Sequence, residues 1–219
     1  MRVAALYDVH GMPWALEAVL ADVDADAIVF GGDYLYGPYP RETVEMIRGV
    51  DAQFVRGNCE DMAEEWESAE VDPADLEWLR SLPLNVTVDG VLYCHAAPED
   101  HMPITTAATP DEAILETFAG HTGTIVIGHT HHQFDRRVGD LRIVNAGSVG
   151  MPYEGRVAAY WTLVEDGEPR PMRTEFDVER AIRETRASAW PHAQEFAAEN
   201  LEQAQSRDEA IAALESRRR

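Results

Sequence analysis

Lysine is missing from the 219-residue sequence: all 18 basic residues are arginine, set against 40 aspartates and glutamates for a formal charge of −22. A field of that sign repels nucleic-acid backbones and anionic membranes at long range, which argues against nucleic acid or other extended polyanions as substrates or partners. We therefore expect no retention on a heparin or duplex-DNA column at physiological salt, and retention there would overturn this reading. A small substrate stays open, because divalent cations would reverse the sign locally. Solubility, or a salty or hot environment, accounts for the acidity more simply than an acidic partner-binding role. Cysteine is nearly absent too. Cys59 and Cys94 are the only two, so there is no disulfide framework. No apolar run approaches the roughly 18–20 residues needed to cross a bilayer, and Val157 to Val164 is among the longest. Strand-like Arg2 to Tyr7 leaves no room for a signal-peptide apolar stretch, so a cytoplasmic location is expected. No internal repeat, low-complexity linker or composition shift marks a boundary, and a single domain is the default at this length.

What is present begins as βαβ units. Short β-branched or apolar runs, Val3 to Tyr7, Ala27 to Phe30 and Gln53 to Arg56, alternate with helical periodicity over Pro13 to Ala21 and after Pro40, each helix opened by proline. Nine of the eighteen residues from Glu60 to Glu77 are acidic, which reads as a solvated helical excursion. A further helix opens at Asp72-Pro73 and runs through Leu82. The second half is strand-rich. Hairpin signals sit at Asp89-Gly90, Gly139-Asp140 and Asp166-Gly167, and Thr124 to Ile127 reads as a buried central strand. From Val178 the chain is helical, interrupted at Trp190-Pro191. Its last helix carries a thin apolar stripe of Leu201, Ala204, Ile211 and Leu214, which suits packing on its own domain better than a dimer interface. A homo-oligomer stays open. The division expected is 1–177 as one domain with 178–219 as a helical extension packed on it.

Five polar phrases fall where predicted strands run out: Asp8-Val9-His10, Gly31-Gly32-Asp33, Gly57-Asn58-Cys59-Glu60, His95 after Leu92-Tyr93-Cys94, and Gly128-His129-Thr130-His131. Strand ends of an open α/β sheet are where ligand clefts form. In extended backbone, residues two apart point the same way, so Asp8 with His10, and His129 with His131, can each aim at one metal cluster. Carboxylate, imidazole and amide oxygen suit Mn²⁺, Fe²⁺, Zn²⁺ or Ni²⁺ without a thiolate. Glycines beside the ligands allow tight turns. Each phrase alone is weak. A D-x-H or G-D is commonly structural, Asn58 after glycine is an ordinary turn residue, and His95 could be a satisfied core histidine. Together, each directly after an apolar strand, they point to a metal cluster rather than to unrelated turns, since buried charges and imidazoles without partners are costly.

This series resembles the calcineurin-like metallophosphoesterase superfamily. Gly37-Pro38, Gly57-Asn58-Cys59 and Asn145-Ala146-Gly147-Ser148-Val149-Gly150 make it most similar to the small bacterial and archaeal phosphodiesterase branch, which also contains a retromer subunit lacking catalysis. The resemblance runs from Arg2 to about Phe176. It implies an α/β fold, a four-layer αββα sandwich of two mixed β-sheets flanked by helices. It also implies two divalent ions, Mn²⁺ first among them, with Asp8, His10 and His131 on one, Asn58, His95 and His129 on the other, and Asp33 bridging. Two such ions share a hydroxide that attacks phosphorus in line, giving Asp33, Asn58 and His95 catalytic roles. Two departures stand out. Cys59 occupies the place where more catalytic relatives carry a leaving-group histidine, and Met12 replaces the asparagine that usually ends the first motif.

Other residues tempt as well. His132 should face away from His131 along an extended segment, at the surface or behind the site. His101, in the loop after His95, could contact substrate or act as acid. Tyr34, Tyr36 and Tyr153 could stack on a nucleoside, although aromatics in such loops more often anchor packing. The reading is a phosphodiesterase acting on a small organic phosphate. A phosphomonoesterase or protein phosphatase, a nucleoside-polyphosphate hydrolase and a non-catalytic metal-binding scaffold remain alternatives. A scaffold is free to lose ligands, and all seven are present.

Overall fold

In the computed structural model, which describes residues 1–218, the elements run β1 (Arg2–Leu6), α1 (Pro13–Asp22), β2 (Ala27–Phe30), α2 (Pro40–Arg48), β3 (Gln53–Phe54), α3 (Cys59–Met62), α4 (Glu65–Glu70), α5 (Pro73–Ser81), β4 (Asn85–Val88), β5 (Val91–Cys94), α6 (Asp111–Thr117), β6 (Gly123–Ile127), β7 (Phe134–Val138), β8 (Leu141–Asn145), β9 (Ala159–Glu165), β10 (Glu168–Thr174), α7 (Val178–Ala187), α8 (Ala193–Phe196), a π-helical turn (Ala197–Glu202) and α9 (Arg207–Arg217). Proline at the first turn starts α1, α2 and α5, where its missing N–H costs nothing. The Asp89-Gly90 and Asp166-Gly167 turns close β4–β5 and β9–β10 with both residues at positive φ, which glycine and aspartate tolerate best.

Two mixed five-stranded sheets result, in the orders β10-β9-β1-β2-β3 and β4-β5-β6-β8-β7. Strands β1, β2 and β3 are parallel in the first, and β5, β6 and β8 in the second. Period-two alternation divides β1 between two layers. Val3, Ala5 and Tyr7 meet Tyr93, Val126 and Val144 of the facing sheet. Ala4 and Leu6 instead pack outward on Trp14, Leu16 and Val19 of α1 and on Val44 and Ile47 of α2. On the far side, Ile114 and Phe118 cover Ile125, Ile127 and Ile143. The fold is the four-layer αββα sandwich, and its parallel strands all end along one edge. Among the described residues no helix is long and apolar enough to cross a membrane.

The acidic stretch departs from expectation. Glu60 and Glu67 are buried rather than solvated. Glu67 accepts the Trp190 indole N–H at 2.8 Å, and that indole packs edge-on against Tyr36 and Phe196. Trp190, Phe196 and Leu201 join the core beside α1 and α2, and Glu184 of α7 accepts the Trp14 indole N–H at 2.8 Å. At the chain's end, the Glu215 carboxylate of α9 accepts from Thr106 and Thr109 hydroxyls at 2.6 and 2.5 Å.

Candidate metal centre

Strand β1 stops at Leu6 and β6 at Ile127, before their polar phrases begin. Alternation along extended backbone therefore does not aim the side chains. Asp8, His10, Asp33, His129 and His131 instead take positive φ between 50° and 65°. Among the described residues the only other non-glycine positions of this kind are the two hairpin aspartates, Asp89 and Asp166. Left-handed backbone costs these residues about 1 kcal/mol each and survives where surroundings over-determine it. Here neighbouring loops do so. The Asp8 and His10 amides donate to Gly32 and Asp33 carbonyls at 3.1 and 3.0 Å, and those of Val149 and Gly150 donate to Tyr7 and Asp8 at 2.9 and 3.0 Å. Gly37 and Gly57 permit close approaches, because a Cβ at Gly37 would lie 1.7 Å from the His10 carbonyl oxygen and one at Gly57 2.2 Å from Asp33 Oδ1.

The seven sequence-selected residues converge. Ligating atoms of Asp8, His10, Asp33 and His131 lie within 4.8 Å of one another, as do those of Asp33, His95 and His129, so Asp33 belongs to both groups. Asn58 Oδ1 lies 3.0 Å from His95 Nε2.

Hydrogen bonding fixes what these atoms present. Nδ1–H of His10, His95 and His131 donates to the carbonyls of Tyr36, Gly31 and Met151 at 3.2, 2.8 and 2.8 Å. That leaves each Nε2 on the site side. His10 Nε2 and His131 Nε2 then face each other at 3.1 Å, while Asp8 Oδ1 is buried without a hydrogen-bond partner, 3.2 Å from His131 Nε2. Lone pairs and carboxylates so crowded repel unless cations lie among them. The electrostatics agree. Burial, then the neighbouring imidazoles, push His10 and His129 down to about 4, into the neutral form that binds metals. Burial works against a charged His95 as well, yet Asp33 and Asp8 push it up to about 10, making it the cation those carboxylates demand. Asp33 would rise on burial, but His95, His10 and the Cys59 N–H hold it well below the usual carboxylate range. A set of imidazoles, two carboxylates and an amide oxygen fits divalent metal, which would take the place of the proton on His95.

Glu60 is the residue that sequence reasoning missed, having counted it among solvated acids. Its carboxylate accepts three backbone N–H bonds, from Asp33 at 3.0 Å, Tyr34 at 2.7 Å and Gly57 at 2.7 Å. The loops carrying Asp33 and Asn58 are thereby tied together, and the Cys59 N–H closes the tie on Asp33 Oδ1 at 2.8 Å. Burial and the Asp33 charge push Glu60 up to about 7 against the pull of these donors. Asn145 and Ser148 brace the other side: Asn145 Nδ2 donates to Gly128 O at 2.6 Å, and the Ser148 hydroxyl to Asp8 O at 2.7 Å. For Asn145, a polar residue at the end of an apolar strand was the available signal.

His132 is buried, not at the surface. Its Nδ1–H donates to Thr130 O at 2.8 Å and its Nε2 accepts from the Ala107 amide at 3.2 Å, so it ties the 105–109 loop to the 129–131 turn. His101 faces Asp61 at 3.6 Å. Tyr34 is a packing anchor whose hydroxyl donates to Val55 O at 2.7 Å. Tyr36 and Tyr153 instead line a cavity of about 380 Å³ with Met151, His192, Glu195 and Glu199.

Residues 1–167 match the Calcineurin-like phosphoesterase superfamily domain. The chain belongs to that superfamily. An uncharacterized protein of Methanocaldococcus jannaschii is 28% identical to this phosphoesterase over 220 residues, 82% of this chain and 89% of that protein. A metallophosphoesterase from Sphaerobacter thermophilus superposes with a TM-score of 0.73 at 25% identity, covering 88% of this chain and 96% of its own. A hypothetical protein from Pyrococcus horikoshii shares the fold, with a TM-score of 0.67 at 17% identity, over 90% of this chain and 97% of its own. The centre is thus the candidate metal site of a metallophosphoesterase.

Proposed function

We propose that this phosphoesterase is a dinuclear phosphodiesterase of small organic phosphates, with residues 1–177 as its catalytic domain and 178–219 as an extension forming one wall of the site. The reading rests on one observation above all: three imidazoles, each tied through Nδ1–H to a backbone carbonyl, crowd their Nε2 atoms around two buried carboxylates. Asp8, His10 and His131 would hold one ion, Asn58, His95 and His129 the other, and Asp33 both. Two divalent ions, Mn²⁺ first and Fe²⁺, Zn²⁺ or Ni²⁺ as alternatives, would supply the acidity that ionises water at neutral pH and offsets charge developing on the phosphoryl oxygens. The protein's part is to fix seven donors in place and to set the charge around them. Diesters are preferred over monoesters because Glu195 and Glu199 line the adjoining cavity. A second phosphate charge, carried by monoesters near pH 7, would be repelled there. Metal-stripped protein assayed on phosphate mono- and diesters, with each ion added back, tests this directly. Hydrolysis of no ester with any ion would refute it.

Cys59 lies beside Asn58, whose Nδ2 is 3.7 Å from its sulfur. In the metal-free site burial and the Asp33 and Glu60 charges push its thiol well above the ordinary range, and a thiol is a weak hydrogen-bond donor, so it is a poor acid. Protonation of a leaving oxygen commonly contributes ~10²–10⁴ in rate. Nitrophenyl diesters should therefore be cleaved far faster than alkyl esters, and Cys59→His should accelerate the poor leaving groups selectively at unchanged metal content. A series of aryl diesters of graded leaving-group acidity measures this. A shallow slope in wild type that Cys59→His leaves unaltered would mean another group, His101 first, already supplies the proton.

A further inference from the structure

The cavity of about 380 Å³ opens directly beside the candidate ligands. Tyr36 supplies the carbonyl that holds His10, Met151 the one that holds His131, and the Tyr153 ring lies 4.9 Å from the His131 ring, tilted by 31°. Its opposite wall comes from the C-terminal extension. His192 lies 6.2 Å from Tyr36, ring to ring, tilted by 30°, and the π-helical turn, whose extra residue per turn widens the helix, places Glu199 and Asn200 on the lining. Such turns recur at functional sites.

The chemistry of the lining is one-sided. Glu195 and Glu199 contribute carboxylates, no arginine among the described residues lines the cavity, and Glu64 adds a third acid through its 3.4 Å contact with His192. Arginines elsewhere are drawn into ion pairs, yet among the described residues neither Glu195 nor Glu199 forms one. Aromatic faces beside unpaired carboxylates attract an organic cation through ring quadrupole and charge together, and repel an anionic arm.

Resting on the phosphodiesterase reading, we propose that this cleft holds the second ester arm of the substrate, and that the arm carries a positive charge, as an amine or quaternary ammonium group. The substrate class is then a zwitterionic phosphodiester: one negative phosphate over the ligands, one cation among Tyr36, Tyr153, His192, Glu195 and Glu199.

Two esters with one leaving group test this: 4-nitrophenyl phosphorylcholine and 4-nitrophenyl 3,3-dimethylbutyl phosphate, the neutral isostere. In both, water displaces nitrophenolate from phosphorus, so only the arm differs. Metal-loaded protein should favour the cationic ester by about tenfold in kcat/KM, and the double variant Glu195→Gln/Glu199→Gln should bring the ratio to near one. A wild-type ratio near one, or a preference that survives the double variant, would overturn the proposal. Calorimetric titration with choline and with 3,3-dimethylbutanol separates it from the reading it rests on. If no ester is turned over with any metal, the phosphodiesterase reading fails, while choline binding that exceeds alcohol binding and is lost in the double variant still supports the cationic cleft. Equal or absent binding rejects it.

Discussion

Asparagine in place of Asp33 is expected to lower hydrolysis by ~10³-fold or more while leaving the fold intact. Asp33 alone belongs to both groups of converging donors. The substitution keeps Oδ1 for the Cys59 N–H but removes the charge and sets an amide donor among lone pairs. Metal affinity should fall at both positions. Saturating metal, at about 100 times Kd, stabilises a one-site protein by about 2.7 kcal/mol, or roughly 5–11 °C in Tm for a chain of this size. Wild type should show at least that rise, and Asp33→Asn little of it.

The metal-free protein offers a second readout, in pH. His95 is held up to about 10, against burial, chiefly by Asp33. A raised folded pKa stabilises fully below the ordinary value of 6.5 and loses that contribution as pH rises toward 10. His10 and His129, pushed down to about 4, act oppositely: the unfolded chain takes up protons first, and stability falls as pH drops below 6.5. Metal-stripped wild type should therefore be most stable near neutrality and decline on both sides. Asp33→Asn should flatten the alkaline limb. Wild-type metal response and an unchanged alkaline limb in the variant would sink the assignment of Asp33.

The fold was legible where a single local rule decided it. Proline placed the starts of α1, α2 and α5, and Asp-Gly turns placed β4–β5 and β9–β10, because one residue's backbone freedom settles each choice. The candidate ligands were legible as a set because polar groups directly after apolar strands must find partners. How they converge was not. Alternation pairs Asp8 with His10 equally well on paper, whereas the chain uses left-handed turns held by carbonyls of other loops, a long-range arrangement with no local mark. His132 was placed only as far as the surface or behind the site, for the same reason. The acidic stretch misled because composition counts charges without their partners: Glu60 reads like Glu64 or Glu65 until two amides of the distant Asp33–Tyr34 loop and one of nearby Gly57 are seen around it.

Those three amides make Glu60→Gln the strongest expected effect outside the ligands themselves. A carboxylate accepts from all three, whereas the glutamine amide has one accepting oxygen and turns an N–H₂ toward donors. In the better orientation, Tyr34 alone loses its acceptor. Each buried N–H left without one costs roughly 1–3 kcal/mol, so Tm should fall by about 2–12 °C. The larger consequence is functional. With Glu60 no longer tying the Asp33 loop to the Gly57–Asn58 turn, the two groups of donors lose their relative placement, and outer residues of this kind typically contribute 10–100-fold to metal affinity. Glu60→Ala should be worse on both counts, since all three donors are left bare. Glu67→Gln is the control, because Glu67 is buried on the neighbouring helix and holds the Trp190 indole rather than a ligand loop. It should leave metal affinity unchanged. Metal titration and thermal melts of the three variants decide the matter: a Glu60→Gln protein with wild-type affinity, or a Glu67→Gln protein that loses affinity equally, would show that the loops hold their geometry without this carboxylate.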